Sequence, residues 1–200
     1  MPFYHNLITE KSWKTLQELK KKYEFILIGG WAVFIYTNGL KSKDIDFICD
    51  YEELEKLRQN YDLTKNQRLK KYEIKKDDTD IDIYLPFFSD LGIPCDEIQK
   101  NTIKRAGFIV PKIEILMILK QHAFRDRIGS IKGEKDKIDI ISMLQQDFNF
   151  DFYLKILKKQ NKQNFINDLR KIFEITTETP ELNLNQHQFS KLKKSILEKI

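Results

Sequence analysis

The sequence predicts an α/β fold: a mixed β-sheet flanked by helices, followed by a helical C-terminal region. Three features carry that expectation. Glu24–Ile28 is a short apolar run halted by Gly29-Gly30, which reads as a buried strand entering a tight turn. Asp44–Cys49 (DIDFIC) alternates acid and apolar residues, the period of a strand with one face buried. Beyond about Pro111 the mixed pattern gives way to helical spacing alone, which sets the expected division at residues 1–110 and 111–200.

Along the chain, residues 8–22 predict a charged amphipathic helix that turns Leu16, Leu19 and Trp13 inward. Trp31–Tyr36 predicts a short helix, with Trp31 packing the first helix onto the sheet and Asn38-Gly39 ending it. Asp50 has the chemistry of an N-cap for a helix over Tyr51–Asn60, with Glu52 and Glu53 in its favourable first turn. Arg68–Lys76 and Thr79–Leu85 predict two strands around the turn Asp77-Asp78. A loop with Pro86, Gly92 and Pro94 follows, then Phe108–Val110 as an edge strand. Pro111 opens a helix in which Ile113, Leu116, Met117, Lys120, Ala123 and Phe124 keep helical spacing. Gly129–Gly133 predicts a break before a helix over Glu134–Leu144, and the lysine-rich remainder predicts further helices.

Composition narrows the class. Two hundred residues with 41% hydrophobic content bury a core without disulfides or structural metal. No apolar run reaches the roughly 18 residues needed to cross a bilayer, and the opening MPFYHNLITEKSWK has no leader-like apolar stretch. Cys49 and Cys95 form neither a CxxC nor a CxxH pattern. The expectation is a cytoplasmic protein with no membrane partner. Net charge is +5, from 35 basic and 30 acidic residues, which suits a polyanionic partner without requiring one.

The chemistry concentrates in the acids. Two aspartates at i and i+2 on a strand share one face, about 7 Å apart, and together clasp a divalent cation. Magnesium prefers oxygen donors and completes its shell with phosphate and water. Asp44 and Asp46 have that spacing, with Ile45 and Phe47 on the opposite side. Asp82 lies between Ile81 and Ile83 on a later strand, and Asp80 is its same-face alternative. The diglycine turn leading into a helix exposes backbone N–H groups suited to a phosphate.

Three elements in order, Ile28-Gly29-Gly30, Asp44-Ile45-Asp46-Phe47 and Ile81-Asp82-Ile83, resemble the signature of the nucleotidyltransferase superfamily, which includes DNA polymerase beta. The resemblance spans roughly residues 25–85. It implies a nucleotidyltransferase fold in which Asp44 and Asp46 hold Mg²⁺. Asp82 then completes the metal site and helps deprotonate an attacking hydroxyl. It implies a nucleoside triphosphate as substrate, ATP among the candidates, with Gly29 and Gly30 near its phosphates and Ser42 and Lys43 as further contacts. Downstream, Pro111–Leu116 leading to Lys120, then Lys135-Asp136 and Asp139, resembles the AbiEii-like prokaryotic subgroup. That likeness implies phosphate contacts from Lys120 or Lys135 and a toxin–antitoxin setting, with an antitoxin partner or a homo-oligomer.

Each sharp reading has a plainer counterpart. Alternation is the default pattern of a half-exposed strand, and helical lysines usually face water. Asp136 and Asp139 also suit a structural network with Arg125 or Arg127, and His122 a packing role. The acceptor stays open between an RNA end such as that of tRNA, a protein hydroxyl and a small molecule. A silent nucleotide- or RNA-binding module and a partner-binding protein of the same fold stay open beside the enzyme.

Overall fold

The computed structural model describes residues 6–200 and divides into two compact units, residues 1–112 and 113–200. The first five residues, on which part of the leader expectation falls, lie outside the described residues.

The first unit opens with helix α1 (Asn6–Lys20), strand β1 (Ile26–Ile28), helix α2 (Gly29–Thr37) and strand β2 (Ile45–Ile48). Helix α3 (Tyr51–Asn60) and strands β3 (Thr64–Asn66), β4 (Lys71–Lys76) and β5 (Thr79–Tyr84) follow. Helix α4 (Cys95–Lys100) and the hairpin β6 (Thr102–Arg105) and β7 (Phe108–Pro111) complete it. Among the described residues these strands form one seven-stranded mixed sheet, in the order β3-β4-β5-β2-β1-β7-β6. β2 runs parallel to β5 and β1 parallel to β7, and every other neighbouring pair is antiparallel. The expected mixed sheet with flanking helices is the fold observed.

Alternation sorts the sheet into two faces. Leu27, Ile45, Phe47, Ile81 and Ile83 are wholly buried, and the register lines up Leu27 with Phe47, Ile45 with Ile81, and Phe47 with Ile83. α1 packs against β5 with Leu16 and Leu19 buried, and Glu18 reaches Lys76 at 2.9 Å from its flank. Trp31 of α2 donates its indole N–H to Ser12 of α1 at 2.9 Å, fixing the two helices together. Asp46, Glu73 and Asp82 stand on the other face of the sheet.

Several boundaries differ from the sequence expectation. β2 begins at Ile45 and leaves Asp44 in the bend before it. The pairing with β1 ends at Asp46 and that with β5 at Ile45, so residue 44 joins neither ladder. α2 begins at Gly29 itself. Residues 68–70 form a turn, and a short polar strand, β3, precedes it. β7 is an inner strand, because the polar β6 takes the edge. Pro111 ends β7 instead of opening the next helix.

The second unit is helical: α5 (Ile113–Arg127), α6 (Ile131–Leu144), α7 (Phe150–Lys159), α8 (Asn164–Ile175), a 3₁₀ turn (Pro180–Leu182) and α9 (Gln186–Leu197). α5 is central and packs on α6, α7 and α8. Its Gln121 is fully buried and doubly satisfied: its amide donates to the Phe165 carbonyl at 2.9 Å and accepts from the Tyr153 hydroxyl at 2.6 Å. α6 starts at Ile131, capped by the Ser130 hydroxyl, and includes Gly133. A Cβ at position 133 would meet the Arg127 backbone carbonyl, so only glycine fits the close approach there.

Candidate active site

The site grows out of the first crossover. β1 carries the chain to Ile28, which pairs with Asp46, and the chain then turns sharply into α2. Gly29 makes the turn with φ +65, a left-handed conformation that costs an L side chain about 1–2 kcal/mol. It also makes room. A Cβ at position 29 would lie 2.6 Å from the Asp46 carboxyl carbon and 2.7 Å from the Asp46 Cβ. Ile28 gives α2 no side-chain cap, so the helix presents its N-terminal N–H groups and partial positive charge where the Asp46 carboxylate packs.

β2 and β5 then bring a second acid alongside. Their parallel register sets Asp46 directly beside Asp82. Burial, and then the Asp46 charge next door, push the Asp82 carboxyl up to about 6, against the pull of Lys71. Lys71, on β4, places its ammonium 2.6 Å from Asp82 Oδ2 and 2.9 Å from Glu73 Oε1. Burial works against the charged form of Lys71, but the bonds to Asp82 and Glu73 outweigh it and hold its pKa above the ordinary value. Glu73 sits opposite Asp82 across the β4–β5 pair, and Asn66 donates to it at 3.1 Å. The Lys71 bond, more than any other influence, lowers the Glu73 pKa.

The structure thus brings together Gly29, Asp46 and Asp82, with Lys71 and Glu73 attached. Asp82, and not Asp80, is level with Asp46; Asp80 pairs with Lys75 on the other side. Asp44 stands in the bend one residue before β2, half-buried, and continuing the parallel register sets it level with Asp80. Gly30 and Ser42 are buried, and Lys43 is half-buried. Lys71 and Glu73 are absent from the sequence reading. Counting back across the turn at Asp77-Asp78 places Glu73 opposite Asp82, and that count was available; the diagonal reach of Lys71 was not.

In the second unit Lys120 and Lys135 lie in a buried charge network. Lys120, 7% exposed, places Nζ 2.9 Å from Asp136 and 2.7 Å from Asp139. Burial opposes its charge, yet the two carboxylates outweigh that and raise its pKa. Arg127 reaches Asp136 at 3.3 Å, and Lys135 stands 3.9 Å from Asp139. Arg125 pairs with Asp168 instead.

Does the donor set suit a divalent cation? Two adjacent carboxylates, one balanced only by a lysine, give oxygen donors for a small hard cation that draws its other ligands from phosphate and water. Among the described residues no group of three or more His, Cys, Asp or Glu gathers closely enough to hold an ion. Asp46 and Asp82 therefore offer two carboxylate groups, part of the shell a small divalent cation needs. A separate cavity of ≈ 430 Å³, lined by Thr9, Glu10, Trp13, Trp31, Phe34 and Lys41, contains none of these acids. Cys49 and Cys95 are buried free thiols. No helix among the described residues is long and apolar enough to cross a membrane.

No protein-family model matches the chain. No curated protein matches it either. Solved structures do. A crystal structure from H. pylori, described as a candidate nucleotidyltransferase, superposes with a TM-score of 0.51 at 16% identity and covers 96% of each chain. That of JHP933 from Helicobacter pylori gives a TM-score of 0.49 at 16% identity, covering 96% of this chain and 94% of its own. The first of these matches establishes a nucleotidyltransferase-like fold for the chain.

Proposed function

We propose that the protein is a Mg²⁺-dependent nucleotidyltransferase, moving a nucleoside monophosphate from a nucleoside triphosphate to an acceptor hydroxyl. The observation that carries this reading is the side-by-side placement of Asp46 and Asp82 on adjacent parallel strands, against the Gly29 turn. The fold shared with the H. pylori structure is consistent with it.

In this reading Asp46 and Asp82 would hold the divalent cation, with Asp44 beside them in the bend before β2 rather than as a third ligand. When bound, Mg²⁺ neutralises charge building on the transferring phosphoryl group. The chain does the rest. Gly29 and Gly30 offer backbone N–H groups at the start of α2, where an anionic phosphate is favoured, and Ser42 and Lys43 lie just upstream of the acids. Asp82, beside the position of the cation, would also take the proton of the attacking hydroxyl. Lys71 holds the Asp82 carboxylate in place. The AbiEii-like assignment, with its toxin role, is part of the proposal. It is supported by the meeting of its two downstream segments, where Lys120 bonds Asp136 at 2.9 Å.

The test is transfer of label from each of the four α-labelled nucleoside triphosphates to RNA, protein and small hydroxyl acceptors. Wild type is expected to label one acceptor class in Mg²⁺, and Asp46→Ala and Asp82→Ala are expected to lose at least a hundredfold in rate. Equal labelling by wild type and variants removes the aspartates from the mechanism. A second reading, a silent nucleotide-binding module, is favoured by the lysine already seated on Asp82. Nucleotide binding that is indifferent to Mg²⁺, with no transfer, selects it.

A further inference from the structure

We propose that the turn at residues 67–70 and the loop at residues 85–89 form a binding surface for single-stranded nucleic acid. The inference rests on the transferase reading in one respect: it makes the bound strand the acceptor.

The first observation is charge. The stretch Leu63–Tyr72 (LTKNQRLKKY) holds Lys65, Arg68, Lys70 and Lys71 and not one acid, in a chain that carries 30 acids against 35 bases. Lys71 is engaged by Asp82 and Glu73. Lys65 leans over the Phe88 ring, 4.7 Å from its centre. Arg68 and Lys70 stand exposed in the turn. Cations so arranged attract a phosphate backbone.

The second observation is an aromatic ring placed against the interests of folding. Phe87 is 94% exposed, so its ring gains nothing from burial. Its φ is +63, a conformation suited to glycine. A residue that contributes neither packing nor backbone comfort points to a use outside the fold. A bare ring offers a stacking face to an unpaired base. A duplex keeps its bases stacked inside, and an acidic peptide has no planar face to match it.

The third observation joins the two. The Ser89 hydroxyl donates to the Lys70 carbonyl at 2.6 Å and accepts from the Leu85 N–H at 3.0 Å. The Ser89 N–H returns to the Leu85 carbonyl at 3.1 Å, and the Tyr51 hydroxyl donates to the Pro86 carbonyl at 3.1 Å. The basic turn and the Phe87 loop are therefore one preorganised structure, which reduces the ordering cost of binding. Lys71 continues from that turn to Asp82, so the surface adjoins the carboxylates.

Fluorescence anisotropy of a labelled short single-stranded RNA, without nucleotide or metal, tests this on the full chain. Wild type is expected to bind the single strand more tightly than the matching duplex, with affinity falling as salt rises. Phe87→Ala is expected to weaken binding roughly tenfold, a typical stacking loss, and to leave the salt slope unchanged. Arg68→Glu/Lys70→Glu is expected to weaken binding and flatten that slope. All three residues are exposed, and matching thermal melts would verify that the variants fold. Binding no better than the duplex, unchanged affinity in Phe87→Ala, or equal binding of poly-glutamate overturns the proposal; the last assigns the surface to an acidic protein. Intact strand binding with no labelled transfer counts against the enzyme reading alone.

Discussion

Gly29 is where the fold and the site impose the same demand. Its positive φ turns the chain into α2, and its missing Cβ admits the Asp46 carboxyl. Gly29→Ala is therefore expected to cost more than the roughly 1–2 kcal/mol of the backbone term alone, since Asp46 must also move. Chemical denaturation reads the stability, and labelled transfer should fall with it. Phe87 is the opposite case. Phe87→Gly relieves a left-handed φ and loses almost no buried area, so a gain of about 1 kcal/mol is expected in the same assay. Asp82 gives a pH signature. Its folded pKa, about 6, lies above the ordinary 3.8, so the folded state keeps a proton that the unfolded chain releases between those values. Its contribution to stability therefore falls as pH rises through that window, by on the order of 2–3 kcal/mol in metal-free protein. The difference in stability between wild type and Asp82→Asn, measured from pH 4 to pH 7, should grow in favour of the variant. Asp46 and Asp82 were legible in the sequence because each sits between apolar neighbours on a strand. Lys71 was not, because its contact with Asp82 depends on which strand lies beside which.

At the scale of elements, parallel pairing of β2 with β5 makes two distant aspartates neighbours, and the crossover through α3, β3 and β4 makes that pairing possible. Asp50 starts that crossover, its carboxylate accepting from the Glu53 N–H at 2.8 Å. The residue chemistry had marked it as a cap. α5 and α6 are locked by Lys120 between Asp136 and Asp139, where one truncation removes the nearest cation from two buried carboxylates. Lys120→Met is expected to destabilise the protein by about 3–5 kcal/mol, as broken buried pairs do. Thermal melting checks it. An unchanged melt would show that the lysine is dispensable for the helices and available for a ligand. The strands missed in the sequence, β3 and β6, are three- and four-residue polar edge strands. They alternate no core residues, so their pairing partners alone define them. Pro111 misled for a related reason. Proline at a first helical turn and proline at a strand end look alike until the neighbouring strand, β6, is known.

For the whole molecule, the two compact units divide the labour of stability. The sheet unit carries the carboxylates, and the helical unit is organised around α5 and its buried Gln121 and Lys120. The α/β class, the mixed sheet and the helical C-terminal region were legible because hydrophobic period changes along the chain. The junction of the Phe87 loop with the basic turn was not, because the two meet only in three dimensions. The central claim is that Asp46 and Asp82 form a half-shell completed by a nucleotide's phosphates. The most direct test is Mn²⁺ electron paramagnetic resonance, used as a stand-in for Mg²⁺, titrating the ion into protein with and without a non-hydrolysable nucleoside triphosphate. Weak Mn²⁺ binding alone, tightened by the nucleotide and lost in Asp46→Asn/Asp82→Asn, is the predicted result. Nucleotide-dependent Mn²⁺ binding of equal strength in that double variant would contradict it.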